Sequence, residues 1–181
     1  MYIRNRVLAL LGVAAAAVMA VPGAAQAAPV PAAPNAVPVV HIQSQGNGLC
    51  LQPTSAAADV AVVQEPCNPT LNLQDWTFQR VGSDPTYVFV NLASGAECLW
   101  AFGNGDAGAP VGVEPCRDNP ASNERFNAGL TLPDSVFLES LAGFRHTGQC
   151  LTVPPGAVIG SQMQIRPCRP ANVSVEGWNI F

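Results

Sequence analysis

One pattern is written three times in this chain: a cysteine followed by leucine, a second cysteine preceded by proline, and an aromatic residue that closes the unit. The copies run from Cys50-Leu51 through Pro66-Cys67 to Trp76, from Cys98-Leu99 through Pro115-Cys116 to Phe126, and from Cys150-Leu151 through Pro167-Cys168 to Trp178. The head cysteines lie 48 and 52 residues apart and the closing aromatics 50 and 52, so one period holds at separate landmarks. A chain that repeats about every 50 residues is an array of one supersecondary unit, and its fold must be one that three such units can complete.

The interval between the two cysteines of a copy is also kept, at 17, 18 and 18 residues. That regularity pairs Cys50 with Cys67, Cys98 with Cys116 and Cys150 with Cys168, one disulfide per repeat, although six cysteines allow about fifteen connectivities in principle. Zinc would require close pairs of the C-x2-C kind with histidines nearby, and the spacing provides none, so no metal is expected. Closing a loop of about 18 residues removes roughly 3 kcal/mol of unfolded-state entropy in the chain-entropy account.

Disulfides need an oxidising compartment, and the N-terminus supplies the route. Arg4 and Arg6 precede an apolar run from Val7 to Val21, followed by Ala25-Gln26-Ala27. Residues 1–27 read as a secretory signal peptide cleaved near Ala27, which makes the protein secreted and extracellular. The apolar run of 15 residues is shorter than the roughly 20 that cross a bilayer, so no membrane span is expected. Beyond Ala27 the chain holds six arginines, no lysine and 12 acids, a formal charge of −6. Such a balance argues against nucleic acid or anionic membranes as partners, because binding to phosphates depends on cationic neutralisation.

Residues 28–38, APVPAAPNAVP, form a Pro/Ala-rich leader that serves either as a flexible spacer or as a peptide that docks into a partner. From residue 39 each copy shows four short apolar runs punctuated by turns. Val39 to Gln43, Tyr87 to Val90 and Val136 to Leu138 lead into the head cysteines; Val60 to Val63, Ala109 to Val113 and Ser161 to Ile165 approach the second ones; the last strand begins at each closing aromatic. An apolar residue recurs five before each second cysteine: Val62, Val111 and Met163. No helical period is sustained, so the class is all-β. Three four-stranded units, at about 39–80, 86–129 and 135–181, are best closed around a pseudo-threefold axis with Trp76, Phe126 and Trp178 in the core.

The residues that carry this pattern resemble the ricin B-type lectins, a β-trefoil family that includes modules of the carbohydrate-binding-module-13 kind. The resemblance rests on Gly48-Leu49-Cys50-Leu51, the second cysteine about 18 residues on, and Gln74-Asp75-Trp76, and it covers residues 39–181. In the second and third copies the glutamine becomes Glu124 and Glu176. The resemblance implies sugar binding in shallow pockets, up to one per repeat. Galactose-binding members place an aspartate two residues after the head cysteine and an asparagine three before the closing aromatic. Here those positions hold Gln52, Trp100 and Thr152, and Leu73, Asn123 and Val175, while Glu65, Glu114 and Arg166 stand two before the second cysteine.

The second copy alone retains the asparagine, so the candidate carbohydrate site is Trp100 as a stacking ring with Asp106, Asn123 and Glu124 as hydrogen-bonding groups. The bland readings are an indole packed beneath the Gly103–Asp106 loop and polar residues committed to turns. Gln74 is expected to bond backbone near its own loop. His41 and His146 have no recurring partner, and no nucleophile, acid–base or phosphate-binding motif is present. The expectation is a secreted binding module without catalytic residues or cofactor, whose partner is a glycan or polysaccharide. The alternative is a protein-interaction adaptor of an extracellular complex that docks through its leader.

Overall fold

Turn residues between alternating apolar runs dictate antiparallel hairpins, and the computed structural model places one hairpin of each repeat on a closed ring of strands. It describes residues 38–181 except 83, 84, 96, 118–120, 130, 133, 134 and 170, so the signal peptide and nearly all of the leader lie outside the described residues. The first repeat contributes β1 (Ile42–Ser44), β2 (Leu49–Pro53), β3 (Val60–Pro66) and β4 (Trp76–Arg80), and the second β5 (Thr86–Asn91), β6 (Glu97–Ala101), β7 (Val111–Pro115) and β8 (Phe126–Asn127). After a short β9 (Thr131–Leu132) the third adds β10 (Ser135–Val136), β11 (Glu139–Ser140), β12 (Gln149–Thr152), β13 (Gln164–Pro167), a four-residue helix α1 (Val173–Glu176) and β14 (Trp178–Ile180).

The first and last strands of the repeats make the ring. β1 pairs with β14, β14 with β10, β11 with β8, β8 with β5 and β5 with β4. Val40 and Trp76 then exchange backbone bonds of 2.8 and 2.9 Å and close it. Closure pairs strand edges that would otherwise invite association. β10 and β11 are halves of one expected strand, which breaks at Phe137-Leu138 because it exchanges β14 for β8 as its neighbour there.

The middle strands form the hairpins β2–β3, β6–β7 and β12–β13. Cys50–Cys67, Cys98–Cys116 and Cys150–Cys168 bridge their bases, each with a Cα–Cα distance of 4.9 Å. Near their tips the hairpins meet one another. Met163 N–H donates to Val62 O at 2.8 Å and Val111 N–H to Met163 O at 2.9 Å, and all three side chains are fully buried. Close contact of β3 with β7 requires Gly112, where a Cβ would lie 2.6 Å from Val60 O and 2.7 Å from the Phe102 ring.

One register relates the repeats: Gln43, Val90 and Glu139 stand opposite the head cysteines Cys50, Cys98 and Cys150. Ile42, Phe89 and Leu138 therefore share a layer with Trp76, Phe126 and Trp178, all buried, as the recurrence of the aromatics implied. The Trp76 indole N–H donates to Leu51 O and that of Trp178 to Leu151 O, both at 3.1 Å. Two residues beyond the closing aromatics, Phe78, Ala128 and Ile180 border the opposite mouth of the ring. With Tyr87, Phe89 and Val136 they line an apolar cavity of about 250 Å³.

Candidate functional site

In each repeat the hairpin base and the helical turn before the closing aromatic face one another across the residue two places after the head cysteine. What fills that space differs between repeats. In the first, Gln74 Nε2 donates to Gln52 Oε1 and Pro66 O, both at 2.9 Å, and its Oε1 accepts from Asn68 N–H at 2.7 Å. The buried amide thus ties the turn to the hairpin, which is the backbone role expected of Gln74.

In the second repeat the candidate residues are largely committed to structure. Trp100 is 8% exposed, and the Arg117 guanidinium carbon lies 4.9 Å from its ring centroid. The ring is a platform for an arginine of its own chain, a cation–π contact. Asn123 Nδ2 donates to Ala101 O at 2.9 Å and Gly103 O at 2.7 Å, which secures the following loop. Asp106 is exposed on that loop, whose neighbours Asn104 and Gly105 border a polar cavity of about 490 Å³ shared with Arg145, His146 and Thr147 of the third repeat.

Glu124 corrects the expectation of a sugar contact. Its side chain is fully buried, with the Arg117 Nε 3.7 Å from one carboxylate oxygen. Neither oxygen makes a full hydrogen bond among the described residues. Burial raises its pKa above the ordinary carboxylate value, against partial relief from the backbone N–H of Ala121 and the charge and backbone of Arg117. Glu114 is also raised, by burial and then by the charge of Asp59, with Arg117 opposing. The histidines meet carboxylates that do not recur between the repeats: His41 Nε2 lies 3.0 Å from Asp75 Oδ1, and His146 Nδ1 2.7 Å from Glu139 Oε2.

In the third repeat the space is open, a cavity of about 260 Å³ lined by Thr152, Arg166, Arg169, Asn172, Val175 and Glu176 among others. The Thr152 hydroxyl turns back onto Cys150 O at 2.7 Å. Arg166 is held at its base, its Nε and one terminal nitrogen donating to Gln164 Oε1 at 3.2 and 2.9 Å. The Asn172 Oδ1 accepts from Ser174 Oγ at 2.8 Å, while its Nδ2 makes no bond among the described residues. Glu176 is buried, bonded by the Arg169 backbone N–H, and raised in pKa by burial, with that bond and the Arg169 charge opposing.

Arg169 and Asn172 were not singled out from sequence, and Arg166 was noted only as a departure. Their signal was the pair of arginines flanking Pro167-Cys168 beside a small residue at position 152. Among the described residues, no cluster of three potential metal ligands is present, and no helix is long and apolar enough to cross a membrane.

Comparison with known proteins accords with this geometry. A family model described as "Ricin-type beta-trefoil lectin domain-like" matches residues 18–114. No curated protein sequence is significantly similar to the chain. The designed threefold-symmetric protein ThreeFoil is similar at a TM-score of 0.68 and 17% identity, over 78% of this chain and 96% of that one. The Macrolepiota procera ricin B-like lectin in complex with lactose is similar at 0.62 and 13%, over 82% and 98%. A chain of the Haemophilus ducreyi cytolethal distending toxin is similar at 0.63 and 19%, over 78% and 81%. At these identities the structural likeness establishes the β-trefoil fold alone.

Proposed function

Since the chain belongs to the ricin-type β-trefoil lectin domain-like family, we propose that it is a non-catalytic carbohydrate-binding module that takes a sugar in the cleft of its third repeat. The observation that carries this reading is the open cavity of about 260 Å³ at that cleft, with Arg166, Arg169 and Asn172 among its lining residues. Sugar sites need hydrogen-bonding groups for hydroxyls and apolar surface for the ring's C–H face. Arg166, Arg169 and Asn172 offer the first, and Val153 and Val175 the second. That a similar fold in Macrolepiota procera holds lactose supports sugar recognition in general, not a particular sugar.

The module acts outside the cell in this reading, supported by three disulfides and by the export signature of residues 1–27. Residues 28–38 are its spacer. The test is calorimetric titration of the oxidised protein with neutral and charged glycans, with Asn172→Ala and Trp100→Ala alongside. Saturable binding weakened about tenfold by Asn172→Ala supports the third-repeat site. Binding lost only with Trp100→Ala keeps the module and moves its site to the second repeat. No binding to any glycan sinks the proposal.

A further inference from the structure

Resting on the proposed sugar site, the chemistry of the third-repeat cleft points further, and we infer that it selects acidic sugars, recognising the carboxylate of a uronic acid residue through Arg166 and Arg169. Two of the six arginines beyond Ala27 line this one cavity. Arg166 spends two N–H donors on Gln164 Oε1, which orients its plane and leaves three of its five donors for a ligand. A guanidinium oriented in advance matches a carboxylate with two parallel hydrogen bonds, which a hydroxyl cannot do.

Among the lining residues the two guanidinium groups outnumber the one carboxylate, Glu176. It is buried and accepts the Arg169 backbone N–H. Burial raises its pKa, with that bond and the Arg169 charge opposing. Asn172 Nδ2 adds a neutral donor for a ring hydroxyl. The rest of the molecule is acidic, with a formal charge of −4 over the full chain, and does not draw anions from a distance. Selection therefore resides in short contacts.

The discriminating probe is an oligogalacturonate compared with its methyl ester, which keeps every hydroxyl and removes the charge. Glucuronate and mannuronate oligomers, a sulfated glycan and a neutral galactan complete the set. The expected result is binding of a uronate at least tenfold tighter than its ester, weakening as salt rises. Arg166→Gln should lower uronate affinity by roughly tenfold to a hundredfold, the usual size of a charged hydrogen bond, and bring acid and ester together. Arg166→Lys should recover only part, because it restores charge without the fork. Circular dichroism and thermal melting of each variant separate lost binding from lost folding.

Equal affinity for acid and ester overturns the inference and leaves the sugar module standing, as does binding of the neutral galactan alone. Preference for the sulfated glycan over every uronate overturns the choice of carboxylate. Absence of binding to any glycan removes the inference and the proposed function together.

Discussion

The second and third repeats share one register, with Val90 and Glu139 opposite Cys98 and Cys150, yet they treat the same cleft in opposite ways. Two residues past the head cysteine the second repeat has an indole and the third a threonine hydroxyl bonded to its own backbone. One residue past the second cysteine both have arginine. Arg117 is taken up by the Trp100 ring, whereas Arg169 meets no aromatic ring among the described residues and lines a cavity. Two residues before that cysteine, Glu114 stands where the third repeat has Arg166. The lesson is that one side chain's size decides whether a trefoil cleft is filled, and one side chain's sign decides what an open cleft would accept.

The comparison requires a common frame, so the largest effect comes from removing it. Trp178→Ala and Phe126→Ala should each cost about 3–5 kcal/mol as buried aromatic deletions. The tryptophan should cost about 1 kcal/mol more, because Leu151 O loses its indole donor. Denaturant titration of the oxidised proteins measures both. Equal losses would mean that the indole bond adds nothing to the frame.

Exchanging the residues that fill or open the clefts comes next. Thr152→Trp should plug the third cleft and weaken sugar binding about a hundredfold, since the cavity has room for an indole and Arg169 is placed to cover it as Arg117 covers Trp100. The reverse change, Trp100→Thr, should release Arg117 and cost roughly 2–3 kcal/mol in lost packing. Calorimetry with the ligand found for the wild type reads the first change, and denaturation the second. Undiminished binding in Thr152→Trp would place the sugar elsewhere.

Sequence revealed the frame more fully than the cleft, for a physical reason. Cysteine spacing and closing aromatics report interactions inside one repeat, so three copies of Cys-Leu and Pro-Cys were enough to pair the disulfides and bury Trp76, Phe126 and Trp178. Cleft occupancy depends on which side chains meet across turns. Trp100 and Asn123 resembled sugar ligands, but an arginine 17 residues on and two backbone carbonyls had already engaged them. Glu124 looked polar and available; its position in register with Gln74 was the sign that it belongs inside. The break between β10 and β11 was hidden because an uninterrupted apolar run does not show where a strand changes neighbours.

That register yields a smaller effect with a defined pH dependence. Glu124 and Glu176 occupy the place of Gln74, and burial raises both above the reference value of 4.5. A carboxyl whose folded pKa lies above its unfolded value binds more protons when native, so stability falls as pH rises through that interval. Glu97 and Glu114 are raised too and add the same sign. The protein should be more stable in mild acid than at neutral pH. Glu124→Gln with Glu176→Gln should flatten this dependence and add about 1 kcal/mol at neutral pH, since Gln74 shows an amide accepting the equivalent N–H and donating to the preceding proline carbonyl. An unchanged slope would assign the effect to Glu97 and Glu114.

The smallest effect lies at the ring's far mouth, where the second repeat is again the odd one. Ala128 stands where the other repeats place Phe78 and Ile180, and the missing volume lies in the apolar cavity of about 250 Å³. Ala128→Ile copies the third repeat, adds a β-branched side chain just beyond β8 and disturbs no positive φ, because Asp59 is the non-glycine residue with that strain among the described residues. Full burial of the three added carbons would contribute about 2.4 kcal/mol, and an open mouth should reduce this to roughly 1 kcal/mol. The melting temperature should then rise by about 2–4 °C. A fall instead would show that the edge-on contact of Phe78 with Tyr87, at 5.7 Å and 83°, leaves no room beside it. The alanine would then be the complement of a large neighbour, and the irregularity of the second repeat would be packing at this end as it is at Trp100.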